Sequence, residues 1–218
     1  MRKITLVCSG HSESGRCNAE ELLNIFKAIK PEVAFLEMCP SEFDFFYERG
    51  SVEAHAITKY RECKPIPVDQ DVMPRNLLAE FKRDLDIALA RVAGASPEYR
   101  WLNQEKNKSV YEYGFAYLNS VVFARLSARM TEIEDEIIGG TDDQDLIRVL
   151  ERWRHIIRQR EHAMVRNIYE HCRKNVFDTG VFLVGAAHKM AIIKEIENRV
   201  IREADLISWT ITYDGQIP

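Results

Sequence analysis

The chain has 218 residues, 46% of them hydrophobic and 29% charged, with a formal net charge of −4. That length supplies one sizeable core and is short for two domains, so the expectation is a single domain over residues 1–218. The negative balance gives no basic field to follow a phosphate backbone, which argues against general nucleic-acid binding. No stretch approaches the ~20 consecutive apolar residues of a membrane helix, so no membrane partner is expected. Cys8, Cys17, Cys39, Cys63 and Cys172 form an odd set without a CxxC pair. They read as the reduced thiols of a cytoplasmic protein, not as a disulfide scaffold or a zinc finger.

Met1-Arg2-Lys3 precedes an apolar run that meets Ser9 and His11 too soon for a signal-peptide core, so residues 3–9 read as a first strand feeding a polar loop. Asn18 then caps a helix over 19–30, with Glu20 and Glu21 at its positive end, Lys27 and Lys30 at its negative end, and Pro31 stopping it. Residues 32–38 form a second strand carrying Glu37 at its carboxyl end, and strand–helix–strand implies parallel pairing. An aromatic helical stretch (Phe43, Phe45, Phe46, Tyr47) to Gly50, a helix over 51–62 and a strand over 65–69 ending in Asp69 follow. From Pro74 to about Asn175 the texture is helical, with helices over 75–93, 98–138 and 142–175. The sheet resumes at 181–187, followed by His188, a helix over 189–203 and a last strand over 205–213. The expected fold is α/β: a central, mainly parallel sheet flanked by helices, with residues 75–175 a helical insertion or cap between the third and fourth strands.

In open parallel sheets the ligand crevice forms at the carboxyl ends of the strands. His11, Glu37, Asp69 and His188 all fall there on this assignment. Two histidines and a carboxylate suit a general base with an electrostatic partner, or three ligands of a divalent metal with a position open for water. Taken singly, a histidine after a strand is more often a capping or hydrogen-bonding group, and Asp69 reads more simply as a cap or turn residue. The second local feature is Arg160-Glu161 on the long helix, where Met164, Ile168 and Cys172 recur as an apolar stripe. An arginine-rich helix such as 152–160 usually presents a solvated face; an arginine aimed into a crevice would bind a carboxylate or oxyanion. His55, His155 and His171 read as surface or interface residues, and Cys8 as a packing thiol.

These segments resemble the superfamily of TraB/PrgY, Tiki, ChaN and erythromycin-esterase-like proteins. The match is carried by SGHSES (9–14), KPEVAFLEMCP (30–40), RQREHAMVRNI (158–168) and the late VFLVGAAHKMAIIKEI (181–196), whose Gly185-Ala186-Ala187-His188 is the most specific piece. The family's usual GTxH is Cys8-Ser9-Gly10-His11 here. The resemblance implies catalytic roles for His11, Glu37, Arg160, Glu161 and His188. Its branches differ: Tiki-like members look like metal-dependent proteases, erythromycin-esterase-like members are metal-free hydrolases, and ChaN-like members bind haem.

The leading expectation is therefore a small hydrolase whose water is activated by His11, or by a divalent metal (Mn, Co or Zn) on His11, Glu37 and His188, with Asp69 or Glu13 as weaker ligands. Arg160 and Glu161 would steady the oxyanion or a small-molecule or peptide substrate. The rival is a non-catalytic protein that holds a small ligand, haem or metal in the same crevice. A third reading makes the helices at 75–175 an interaction module, through which the chain would form a homo-oligomer.

Overall fold

The computed structural model describes residues 1–71, 73 and 75–212. Its sheet has five parallel strands: β1 (Arg2–Ser9), β2 (Val33–Leu36), β3 (Lys64–Pro67), β4 (Thr179–Gly185) and β5 (Ile207–Thr210), in the order β3-β2-β4-β1-β5. The α/β expectation holds. β1 and β4 are apolar on both faces and almost wholly buried, as strands covered by helices on either side must be. Their register sets Ser9 against Gly185, and Leu36 of β2 lies against Leu183. The carboxyl ends of β1, β2 and β4 therefore finish side by side.

β1 and β2 are parallel but do not pair directly, because β4 is inserted between them. The strand that arrives last but one in the chain thus brings Gly185 and the residues after it between His11 and Glu37. The helix α1 (Ala19–Ile29) starts where expected, with the Asn18 side chain accepting from Glu20 and Glu21 N–H. The aromatic stretch is not a regular helix but two 3-10 turns, Pro40–Phe45 and Tyr47–Arg49. Phe46 is buried, while Phe45 and Tyr47 are exposed. The helix α2 (Val52–Lys59) follows.

Among the described residues four helices lie between β3 and β4: α3 (Arg75–Ala95), α4 (Pro97–Leu118), α5 (Val121–Gly139) and α6 (Gln144–Lys174). Residues 98–138 are two helices rather than one, because the Ser120 side chain caps α5 and Asn119 turns away to bond β1. These helices pack a core of their own, with Leu85, Val92, Leu102, Ile133 and Leu150 among its members, distinct from the core around the sheet. The helix α6 joins the two: Leu146 and Leu150 belong to the helical core, Met164, Val165, Ile168 and Cys172 to the sheet core. At about 1.5 Å per residue its 31 residues run about 46 Å, and Arg160 and Glu161 sit midway. The chain closes with α7 (Lys189–Val200) and β5. Pro74, where the helical texture begins, and Tyr213, the expected end of the last strand, lie outside the described residues. No helix among those described is long and apolar enough to cross a membrane.

Candidate active site

Glu37 leaves the end of β2 with its carboxylate among N–H groups from three directions. Oε1 lies 2.6 Å from Arg160 Nη2 and 3.2 Å from His188 Nε2; Oε2 lies 2.7 Å from the Gly185 backbone nitrogen and 3.3 Å from His11 Nε2. Gly185 can approach so closely because it has no side chain. A Cβ there would stand 2.9 Å from His11 Nε2 and 3.1 Å from Glu37 Oε2.

Each histidine has a second carboxylate at its other nitrogen. His11 Nδ1 is 2.9 Å from Glu53 Oε1, which also accepts from the Ser9 hydroxyl, and His188 Nδ1 is 2.8 Å from Glu161 Oε1. The result is one connected row: Glu53, His11, Glu37, His188, Glu161. Arg160 fixes its midpoint from the side, since the same guanidinium also donates to Asp69 at 2.7 and 2.9 Å.

Ionised carboxylates only accept, so all four nitrogen–carboxylate contacts of the two imidazoles are attractive only if each ring carries two N–H groups. The charge balance agrees. With both rings protonated, three cations face the four carboxylates of Glu37, Glu53, Asp69 and Glu161; with both neutral, Arg160 would face them alone. Burial opposes the charge on His11, but the carboxylates of Glu37 and Glu53 outweigh it and lift the imidazole to about 10. For His188 the same burial is outweighed by Glu161 and Glu37, giving about 9. Burial would raise Glu37 and Glu53, yet the histidines hold Glu37 far below the ordinary carboxylate range, and His11 lowers Glu53.

The five residues singled out from sequence meet here, four in this row and Arg160 at its side, but they do not share one environment. His11, Glu37 and Arg160 line a cavity of about 740 Å³, where the His11 side chain is 45% exposed. His188 and Glu161 are buried behind Glu37 and do not line it. Glu161 supports His188 instead of reaching the cavity, and Arg160 is committed to Glu37 and Asp69. The cavity floor also includes Asp69 and Glu53; its walls carry Phe46, Leu78, Trp153 and Ile156 from the 3-10 turn, α3 and α6. Trp153 and Leu78 show that the helical region contributes to the crevice. His55 lines the cavity rim near Glu13, whereas His162 pairs with Glu195 on the surface away from it. Cys8 is wholly buried and burial pushes its thiol up to about 12, as a packing residue.

Glu53 and Ser9 do not stand out in the sequence, and Asp69 reads there more simply as a turn residue. In sequence Glu53 looks like an ordinary acidic first-turn residue of a helix. Its signal is its position on the helix: by helical spacing Glu53 falls between Ala56 and Ile57, on the side opposite the exposed His55, Thr58 and Lys59, so its charge is buried.

The three residues expected to hold a divalent ion do converge, with both histidine Nε2 atoms against the Glu37 carboxylate. Each Glu37 oxygen already faces two N–H groups, and both Nε2 atoms point at that carboxylate instead of offering lone pairs to a common point. Among the described residues no three His, Cys, Asp or Glu side chains are disposed to hold a metal ion. No family model, curated protein or solved structure matches the chain.

Proposed function

We propose that the chain is a hydrolase of carboxylic esters or amides in which His11 and Glu37 work as an acid–base pair. The observation that carries this reading is the doubly engaged His11: an imidazole half-open to a large cavity, with carboxylates at both nitrogens. Held as an imidazolium, His11 is a proton donor, not the resting base that the sequence alone favours. As its Nε2 proton passes to the leaving-group oxygen or nitrogen, Glu37 loses one of its cationic partners and gains basicity. In the same step Glu37 takes the proton of the water that adds to the carbonyl carbon; the C–O or C–N bond of the tetrahedral adduct then breaks with the protonated leaving group, and Glu37 returns its proton across 3.3 Å to His11 Nε2, which restores the starting state. Arg160, His188 and Gly185 keep the carboxylate aimed throughout. The resemblance to the erythromycin-esterase-like and Tiki-like branches supports the reaction class.

A panel of chromogenic esters and fluorogenic peptides, assayed with the wild-type chain and with His11→Gln, tests the reading. Turnover that falls ~10²-fold or more in the variant is expected, the usual worth of a positioned proton donor. Absence of turnover across the panel, or equal turnover in both proteins, contradicts it. The non-catalytic alternative, a small-ligand binding protein, draws on the cavity volume, which lies in the range of small-molecule sites. It would show as ligand binding that His11→Gln leaves intact, with no turnover.

A further inference from the structure

The backbone at His11 is unusual before any side chain is considered. Its φ is 59°, and Ser12 N–H donates to Gly10 C=O across it at 2.7 Å, so His11 stands at the apex of a three-residue γ-turn in the strained, left-handed sense. Something must hold it there. On one side the Val52 N–H at the start of α2 donates to the His11 carbonyl at 3.1 Å. On the other, residues 14–17 form a miniature hairpin in which Ser14 and Cys17 exchange backbone hydrogen bonds at 2.9 Å, with its tip resting on α4.

That contact is an interlock of two glycines. Gly15, at φ 53°, lies so close to α4 that a Cβ would stand 2.1 Å from the Tyr111 carbonyl oxygen. Gly114, at φ 54° inside α4, lies so close to the hairpin that a Cβ would stand 2.3 Å from the Arg16 carbonyl oxygen. Between them Arg16 N–H donates to the Tyr111 carbonyl at 3.0 Å. The non-helical conformation of Gly114 kinks α4 at this point. Both backbones adopt conformations that side chains resist so that helix and hairpin can touch.

We infer that Gly15 and Gly114 are positioning residues for His11: the helical region, through α4, holds the strained turn that presents the imidazole to Glu37 and Glu53. This rests on the reading of His11 as the reacting group, but it is tested on the imidazole itself and needs no substrate. In ¹⁵N-labelled protein at neutral pH, the hydrogen-bonded ring N–H protons of His11 and His188 are observed and assigned from the His11→Gln and His188→Gln spectra.

Gly15→Ala and Gly114→Ala are each expected to lose the His11 signals into exchange with water while the His188 signals persist. Gly94→Ala, where nothing lies within 4 Å of the added methyl, leaves both pairs in place. Retention of the His11 signals in either folded variant would overturn the inference. So would global unfolding by Gly15→Ala, since the exposed hairpin tip would then determine the fold and not the turn.

Discussion

Glu37 accepts from groups on α6, on β4 and on the segments following β1 and β4, so its carboxylate is where the site and the fold meet. Glu37→Gln would turn an amide N–H₂ toward some of those donors and leave buried charges without their partner. A loss of about 3–5 kcal/mol in urea unfolding is expected, the scale for breaking a buried ion network from one side. The histidines set the pH dependence. Their values are raised on folding, so their stabilisation is full below about 6.5, the ordinary imidazole value, shrinks as pH rises, and is gone above about 10. Glu37 and Glu53 are lowered, so theirs is full above about 4.5 and lost on acidification. The network should therefore contribute most between about pH 4.5 and 6.5. Melting temperature should fall from pH 7 to 10, and His188→Gln should make that fall about half as steep, because one of two retained protons is gone. An unchanged slope would show that His188 is neutral in the folded chain. Positions that end an apolar run in a polar group, such as Glu37 and His188, were legible in sequence because that pattern follows from the parallel sheet. Glu53 was not, since its role depends on which helix comes to rest beside His11.

At the scale of elements, β1 needs a partner that the sheet does not supply. β5 pairs only with Arg2–Thr5, so the outer edge of β1 at Cys8 is open on that side. Asn119 fills it: its side-chain oxygen accepts from Cys8 N–H at 2.9 Å and its amide donates to Cys8 C=O at 3.0 Å, as a neighbouring strand would. The backbone carbonyl of Asn119 in turn accepts from buried Lys189, the residue after His188. Asn119→Ala should cost about 2–4 kcal/mol in urea unfolding, because it strands two buried backbone groups. Ser120→Ala, which removes the α5 cap and the hydroxyl's bond to the Tyr117 carbonyl, should cost about 1 kcal/mol. Equal effects would mean that Asn119 acts only as a helix terminus. The break between α4 and α5 is not legible in the sequence for the same reason. Asn119-Ser120 carries no proline or glycine, and Asn119 leaves the helix for a bond to a residue 111 positions away.

At the scale of the molecule, two cores share one long helix. A cavity-forming change in the helical core, Ile133→Ala, should cost about 2–4 kcal/mol locally. Amide exchange should accelerate in α3–α5 while β1 and β4 keep their protection. Uniform acceleration would show that the two cores open together. The periodicity of α3 to α6 made these helices readable in sequence, but their separate packing was not, since apolar spacing reveals a buried face without saying which neighbour buries it. The same limit applies to the cavity, whose walls at Leu78 and Trp153 come from two helices that apolar spacing does not place over the strand ends.

The central claim is that His11 rests as an imidazolium and acts as a proton donor. The most direct measurement is the pH dependence of kcat/KM for the best ester or peptide of the panel, with His11→Gln as the reference. The expected profile is flat from about pH 6 to 9 and declines above it with a midpoint near 10, where His11 loses its proton. A rate that climbs through the same range and depends on His11 would make the imidazole a base and contradict the account.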